Sequence, residues 1–142
     1  MVGIWLLATL LAAAPVQDVQ MPTQAELFGG RLRLDSRTQA PAVEEILIEA
    51  QQAAAPVVQE LLTLREQIVN LELSGRTEEL EAALASHTAA AARLATVEAQ
   101  AFKRIYAELR ENQHERAAEA FVIMGGLFYP PAAPAGGGRG GQ

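Results

Sequence analysis

The feature that most constrains this chain is a stripe of apolar residues spaced alternately four and three apart through its middle. Val43, Leu47, Ala50, Ala54, Val57, Leu61, Leu64, Ile68 and Leu71 keep that rhythm without a break. Such a repeat holds one face along a slightly under-wound helix and favours burial against a second helix in a left-handed pair. Pro41 suits the first turn of this helix, where a missing N–H costs nothing. Leu73-Ser74-Gly75 supplies the stop, with Gly75 free to adopt the left-handed closing conformation. At 1.5 Å per residue the helix is about 48 Å long. Pro56 falls inside it and predicts a kink, since it lacks the N–H and crowds the carbonyl four residues back.

A second helix follows after about three residues. Thr77 is its expected cap, and Glu78 and Glu79 stand in its first turn, where the helix dipole favours negative charge. Leu80, Leu84, His87, Ala91, Leu94, Ala101, Ile105 and Leu109 mark its apolar face, flanked by Val97 and Phe102. Two long helices joined so tightly fold back as an antiparallel hairpin. A third, shorter helix is predicted from Asn112-Gln113-His114-Glu115, which has the cap and third-position Glu of a capping box. Ala117, Ala118, Phe121 and Met124 form its apolar face, and Gly125-Gly126 ends it. The segment 21–40, with Pro22 and Gly29-Gly30, reads as an extended arm or a short helix around Gln24 to Phe28. The Pro, Ala and Gly tail, residues 129–142, reads as disordered. The expected fold is therefore all-α, a long antiparallel hairpin with a shorter C-terminal helix.

Composition narrows the function. Half the residues are apolar, but much of that half is alanine, which buries little area and works best between closely packed helices or against a second copy. A homodimer is expected on that ground. The net charge of −6 repels phosphate backbones, so nucleic acid is a poor partner. Nine Glu face only Arg65 and Arg76 between Pro41 and Ala92, whereas five basic and five acidic residues balance between Arg93 and Glu119. The loop end of the hairpin is thus acidic and its open end balanced; solvated helix faces are the ordinary meaning of such runs. Cysteine is absent, which removes disulfides, zinc–thiolate sites and thiol catalysis together. Residues Ile4 to Ala14 form an apolar run that suits the core of an export signal and is too short for a bilayer, which needs about 20 residues. Residues 1–20 are therefore expected to be a signal peptide, cleaved between Ala13 and Gln20, leaving a periplasmic protein without a membrane anchor.

The stretch Phe102 to Gln113 resembles the LTxxQ-motif family of periplasmic proteins, which includes Spy and CpxP and relatives described as periplasmic heavy-metal sensors. Leu109 and Gln113 keep the Leu and Gln of the motif, and Arg110 replaces its Thr. Leu34-Asp35-Ser36-Arg37-Thr38-Gln39 looks like a degenerate first copy with one extra residue. Ala50 to Ile68 is similar to the family's first long helix, including an internal proline. The resemblance spans residues 31–128. It implies long antiparallel helices that dimerise into a thin curved cradle. It also implies an ATP-independent chaperone or envelope-stress binding protein, or alternatively a heavy-metal sensor accessory. The lost Thr is expected to move the third helix's cap to Asn112.

Candidate sites are few. Phe102 and Tyr106, one turn apart, with Phe121, Met124 and Phe128, make a candidate client-binding patch, whose bland alternative is burial under the third helix. His87 and His114 are weak metal candidates, with no ligand-like spacing around either. Glu44, Glu45 and Glu49 are ordinary dipole partners at a helix start. No catalytic residue is expected: Ser74 lies in the hairpin turn, and Ser86 points away from the face carrying His87. The glycines from Gly136 to Gly141 lack the strand and Lys of a phosphate loop. No enzyme and no cofactor are expected.

Overall fold

The computed structural model describes residues 23–130. The apolar run Ile4–Ala14 and the tail from 131 onward lie outside the described residues. Four helices follow in order: α1 (Gln24–Leu32), α2 (Gln39–Ser74), α3 (Thr77–Glu108) and α4 (Glu111–Ile123). Helices α2 and α3 form the antiparallel hairpin, and α1 and α4 pack together across its open end.

The α2 stripe predicted by the four–three spacing is the buried face. Val43, Leu47, Ala50, Ala54, Leu61 and Leu64 are buried, and Val57, Ile68 and Leu71 are half-buried; Ile46 joins them at the α1 end. On α3 the seam runs through Ala83, Ala90, Leu94, Ala101 and Ile105, with Leu80, His87 and Val97 half-buried. Leu84, expected on that face, is 46% exposed, and Ala83 takes its place. The reason is steric. Alanine in the seam lets two helices approach, since interaxial distance is set by the side chains at the contact.

Two exposed ion pairs cross the hairpin, Arg93 with Glu60 and Arg104 with Glu49. Eleven residues forward on α3 correspond to eleven back on α2, the signature of antiparallel pairing in a constant register. Exposed pairs are worth only about 0.2–1 kcal/mol each, so they select register more than they stabilise it.

The helix ends follow local chemistry, in places against expectation. Gly75 closes α2 at φ 69°, with its N–H on the Glu72 carbonyl and the Arg76 N–H on that of Leu71, a Schellman closure. Helix α3 begins at Thr77, so the capping position falls on Arg76, whose guanidinium instead holds Glu79. Pro56 does not break α2, which runs as a single 36-residue helix, about 54 Å long. Pro56 itself is exposed. The segment before α2 is a helix rather than an arm. Thr23 and Glu26 form a capping box, and Gly29-Gly30 lies within α1 because Phe28 and Leu32, both fully buried, pin it. That burial, about 1.5–3 kcal/mol per large side chain, outweighs the helix cost of glycine, about 1 kcal/mol each.

Helix α4 starts at Glu111 with its cap at Arg110, not at Asn112. The described residues continue past the expected domain boundary at 128. After Gly126, at φ 77°, the chain turns back onto the hairpin, and Pro130 is buried.

Candidate functional site

The two segments that resemble the family motif end in Gln39 and Gln113, and these are the buried polar residues of the core, each 6% exposed. Their amides face each other. Gln39 Nε2 donates to Gln113 Oε1 at 2.8 Å, and Gln113 Nε2 donates back to Gln39 Oε1 at 3.1 Å. Each then serves backbone groups orphaned at helix ends. Gln39 Nε2 reaches the Glu108 carbonyl at the end of α3, and Gln39 Oε1 accepts from the Asp35 N–H. Gln113 Nε2 reaches the carbonyls of Leu32 and Arg33 at the end of α1, and its Oε1 accepts from the Arg110 N–H at 2.8 Å. One amide pair therefore ties together the end of α1, the start of α2, the end of α3 and the start of α4. It also explains the cap position. The Gln113 side chain satisfies the Arg110 N–H, so α4 keeps its start without a Thr at 110. No buried side-chain nitrogen or oxygen among the described residues lacks a partner.

Beside this knot, Asp35 organises the entry to α2. Its carboxylate accepts from the Thr38 hydroxyl and from the N–H groups of Thr38 and Arg37, all at 3.0 Å. The Thr38 hydroxyl and then these N–H groups hold the carboxyl below its usual range, with a smaller contribution from Arg110, 4.0 Å away.

The aromatic candidates are mostly core. Phe102 and Phe121 stack at 4.7 Å and an interplanar angle of 6°, and both lie against Phe28 of α1, at 6.0 and 6.4 Å. Met124 and Phe128 are each 8% exposed. The exposed patch expected from Phe102, Tyr106, Phe121, Met124 and Phe128 is therefore not presented as a surface. Helix α4 and the segment after it fold these side chains inward, because α1 brings Phe28 to complete the cluster. Phe102 and Phe121 are half-buried, and Tyr106, 42% exposed, stands at the surface, stacked on His114 at 4.2 Å.

That contact also separates the histidines. His87 is half-buried on α3, nineteen residues before Tyr106, which at 1.5 Å per residue places it about 28 Å from the ring that carries His114. The two do not converge on one ion. Among the described residues, no group of three or more His, Asp or Glu side chains is arranged to hold a metal. Leu109, the motif leucine, is buried in the core.

What lies open is the outside of the hairpin. No residue of α2 after Leu64 and none of α3 before Ala83 is buried, so among the described residues nothing covers the two helices at the loop end. Val69 is 57% and Leu73 82% exposed there, and Val122 is 81% exposed on α4. Among the described residues no helix is long and apolar enough to cross a membrane. Compared with models of protein families, with characterised proteins and with solved structures, the chain matches none.

Glu98 of α3 accepts the N–H groups of Gly126 and Leu127 at 3.0 and 2.8 Å and so holds the chain where it turns back after α4; Phe28, Gln39 and Glu98 are the important residues that motif reading left unassigned. Gln39 carried a signal, as the last residue of the degenerate motif copy. Phe28 and Glu98 carried none, since their roles depend on helices distant in sequence.

Proposed function

We propose that this chain is an ATP-independent chaperone-like binding protein of the Spy/CpxP type, acting on unfolded proteins of the envelope. The observation that carries the reading is the bare, thin hairpin: large apolar side chains such as Val69 and Leu73 stand in water at its acidic loop end. Val69 and Leu73 stand one helical turn apart on α2, exposed apolar area of this kind offers an interaction site, and the surrounding carboxylates keep a loaded complex soluble. The uncovered loop end is also where a second copy would pack, which gives the homodimer its interface. The meeting of Gln39 and Gln113 supports the family resemblance, since it gives the two motif-like segments one shared structural job. Export to the periplasm belongs to the same proposal and rests on the Ile4–Ala14 run.

The test is suppression of light scattering by an unfolding client, without nucleotide. A folded chain that leaves client aggregation unchanged at several-fold excess overturns the proposal.

A further inference from the structure

The arginines of the fold divide into two groups. Arg76, Arg93 and Arg104 each pair with a glutamate, and Arg65 donates to the Pro130 carbonyl and lies over the Tyr129 ring. Arg31, Arg33 and Arg116 have no ion-pair partner among the described residues, yet they stand together. Arg33, Arg110 and Arg116 line a cavity of about 140 Å³ where the end of α1 meets the start of α4, with Leu32, Asn112 and Gln113 as its other walls. None of these walls is a carboxylate. Arg116 also lines an adjoining cleft with Arg31, Glu119, Ala120 and Ile123. Asp35, 4.0 Å from Arg110, is already engaged by Thr38 and Arg37. In a chain of net charge −6, four guanidinium groups thus gather on one face around the single carboxylate of Glu119. Arg33 adds a backbone observation. It is the non-glycine residue with a positive φ, 53°, among the described residues, and it closes α1 in the left-handed conformation. A Cβ crowds the following carbonyl there, so folding alone favours glycine. What arginine adds is its guanidinium in the cavity.

The same face grades from charged to apolar. Gln24 bonds to Leu127 and Gln113 to Leu32, so α1 and α4 run antiparallel and Leu27 falls level with the last turn of α4, which carries Ile123. Both side chains are exposed. Ile123 stands seven residues beyond Arg116 on the same side of α4, about 10 Å along the helix. Guanidinium groups hold phosphate through paired N–H donors, and the first turn of a helix, here at Asn112, favours an anion as well. Aliphatic side chains next to such groups suit the boundary between lipid headgroups and acyl chains. We propose that the outer face of α1 and α4 binds the phosphate of an anionic lipid at a membrane surface. Arg33, Arg110 and Arg116 take the phosphate, and Leu27 and Ile123 meet the acyl boundary. A free phosphate would use the arginines and leave the apolar end idle. The contact is peripheral, since no helix among the described residues is long and apolar enough to cross a membrane, and the acidic remainder of the chain confines it to this face. This lipid site stands apart from the chaperone reading.

The experiment is vesicle flotation of the full chain, with phosphatidylcholine vesicles set against the same vesicles carrying about one-third phosphatidylglycerol. Neutral vesicles measure what the apolar run Ile4–Ala14 contributes, so the quantity read is the ratio of anionic to neutral binding. That ratio is expected to exceed about tenfold despite the net negative charge, and to fall as salt is raised. Each guanidinium near an anionic surface is worth about fivefold, so Arg33→Gly with Arg116→Gln is expected to lower the ratio about 20-fold. Lys103→Gln, which removes the same charge from an exposed position on α3, is expected to leave it unchanged. Arg33→Gly is expected to melt no lower than wild type, which separates lost binding from lost folding; if it does unfold, Arg116→Gln on the exposed face of α4 carries the comparison. Ile123→Ser is expected to weaken anionic binding while keeping its salt dependence. A ratio near one, or equal losses from Lys103→Gln and Arg116→Gln, overturns the proposal. So does full competition by inorganic phosphate or by polyglutamate at matched ionic strength, which would make the site one for a free anion or an acidic polypeptide.

Discussion

Replacing Gln113 by Ala removes one side chain and loosens three helix ends, those of α1, α2 and α4, while Gln39 still holds the end of α3. The carbonyls of Leu32 and Arg33 lose their donor, the Arg110 N–H loses its acceptor, and one Gln39 N–H is left without a partner. A polar group left unsatisfied in the interior costs about 1–3 kcal/mol. Only the bonds to Leu32 and Gln39 are fully buried, and water reaches the others, so the expected total is about 3 kcal/mol rather than the sum of four full penalties. With a urea m-value of about 2 kcal/mol/M, the midpoint falls by about 1.5 M. Urea titration followed by far-ultraviolet circular dichroism measures it directly. Gln39→Ala is expected to cost a similar amount, and the double variant less than the two together, with a coupling of about 1 kcal/mol or more because the residues share a bond. A Gln113→Ala change that moves the midpoint by less than about 0.3 M, or a double variant that is simply additive, refutes the assignment of the amide pair as the knot of the fold.

Three further outcomes follow from the same geometry. Leu61→Ala, at a position with 0% exposure, is expected to cost about 2–5 kcal/mol, whereas Leu84→Ala at 46% exposure stays within about 0.5 kcal/mol; equal effects in thermal melts would mean the seam is misplaced. Ala90→Leu, at 0% exposure in the α2–α3 seam, is expected to lose about 1–3 kcal/mol by overpacking, and a neutral result would show that the helices do not approach closely there. Asp35 has a folded pKa below its usual 3.8, so its contribution to stability is present above that value and disappears as pH falls through the folded one. Asp35→Asn is therefore expected to be less stable than wild type near pH 7 and to converge with it in acid, as read by urea titrations at several pH values; a constant difference at every pH contradicts the role given to its carboxylate.

Much of this architecture was legible in advance because apolar spacing speaks directly about helices. The α2 stripe needed no tertiary knowledge, and Gly75 announced its own turn. Reading failed where packing overrode local preference. Gly29-Gly30 reads as a break, yet burial of Phe28 and Leu32 on either side keeps the helix going. Leu84 outranks Ala83 in hydrophobicity, yet the seam between two close helices selects the smaller residue. The replacement of Thr by Arg110 implied a displaced cap, but Gln113, three residues on, already carried the other half of the capping contact.

The site was less legible than the fold. Phe102, Phe121, Met124 and Phe128 share spacing, but spacing alone does not say whether a face meets solvent. The answer came from Phe28, more than seventy residues away from Phe102 in sequence, and from the turn of the chain back onto the hairpin after Gly126. Glu98 and Arg65 sit on mid-helix positions that look like ordinary solvated charges. Only the return of the chain after Gly126 gives them work.

The proposed function requires the folded chain to hold unfolded polypeptide on its helical faces without nucleotide. Sedimentation velocity with the full chain and a fluorescently labelled, permanently unfolded client tests it most directly, with detection at the label. The labelled boundary is expected to shift to a faster, discrete species as the chain is added in nucleotide-free buffer. A labelled boundary that stays at the free client's rate, with the added chain folded and in large excess, contradicts it.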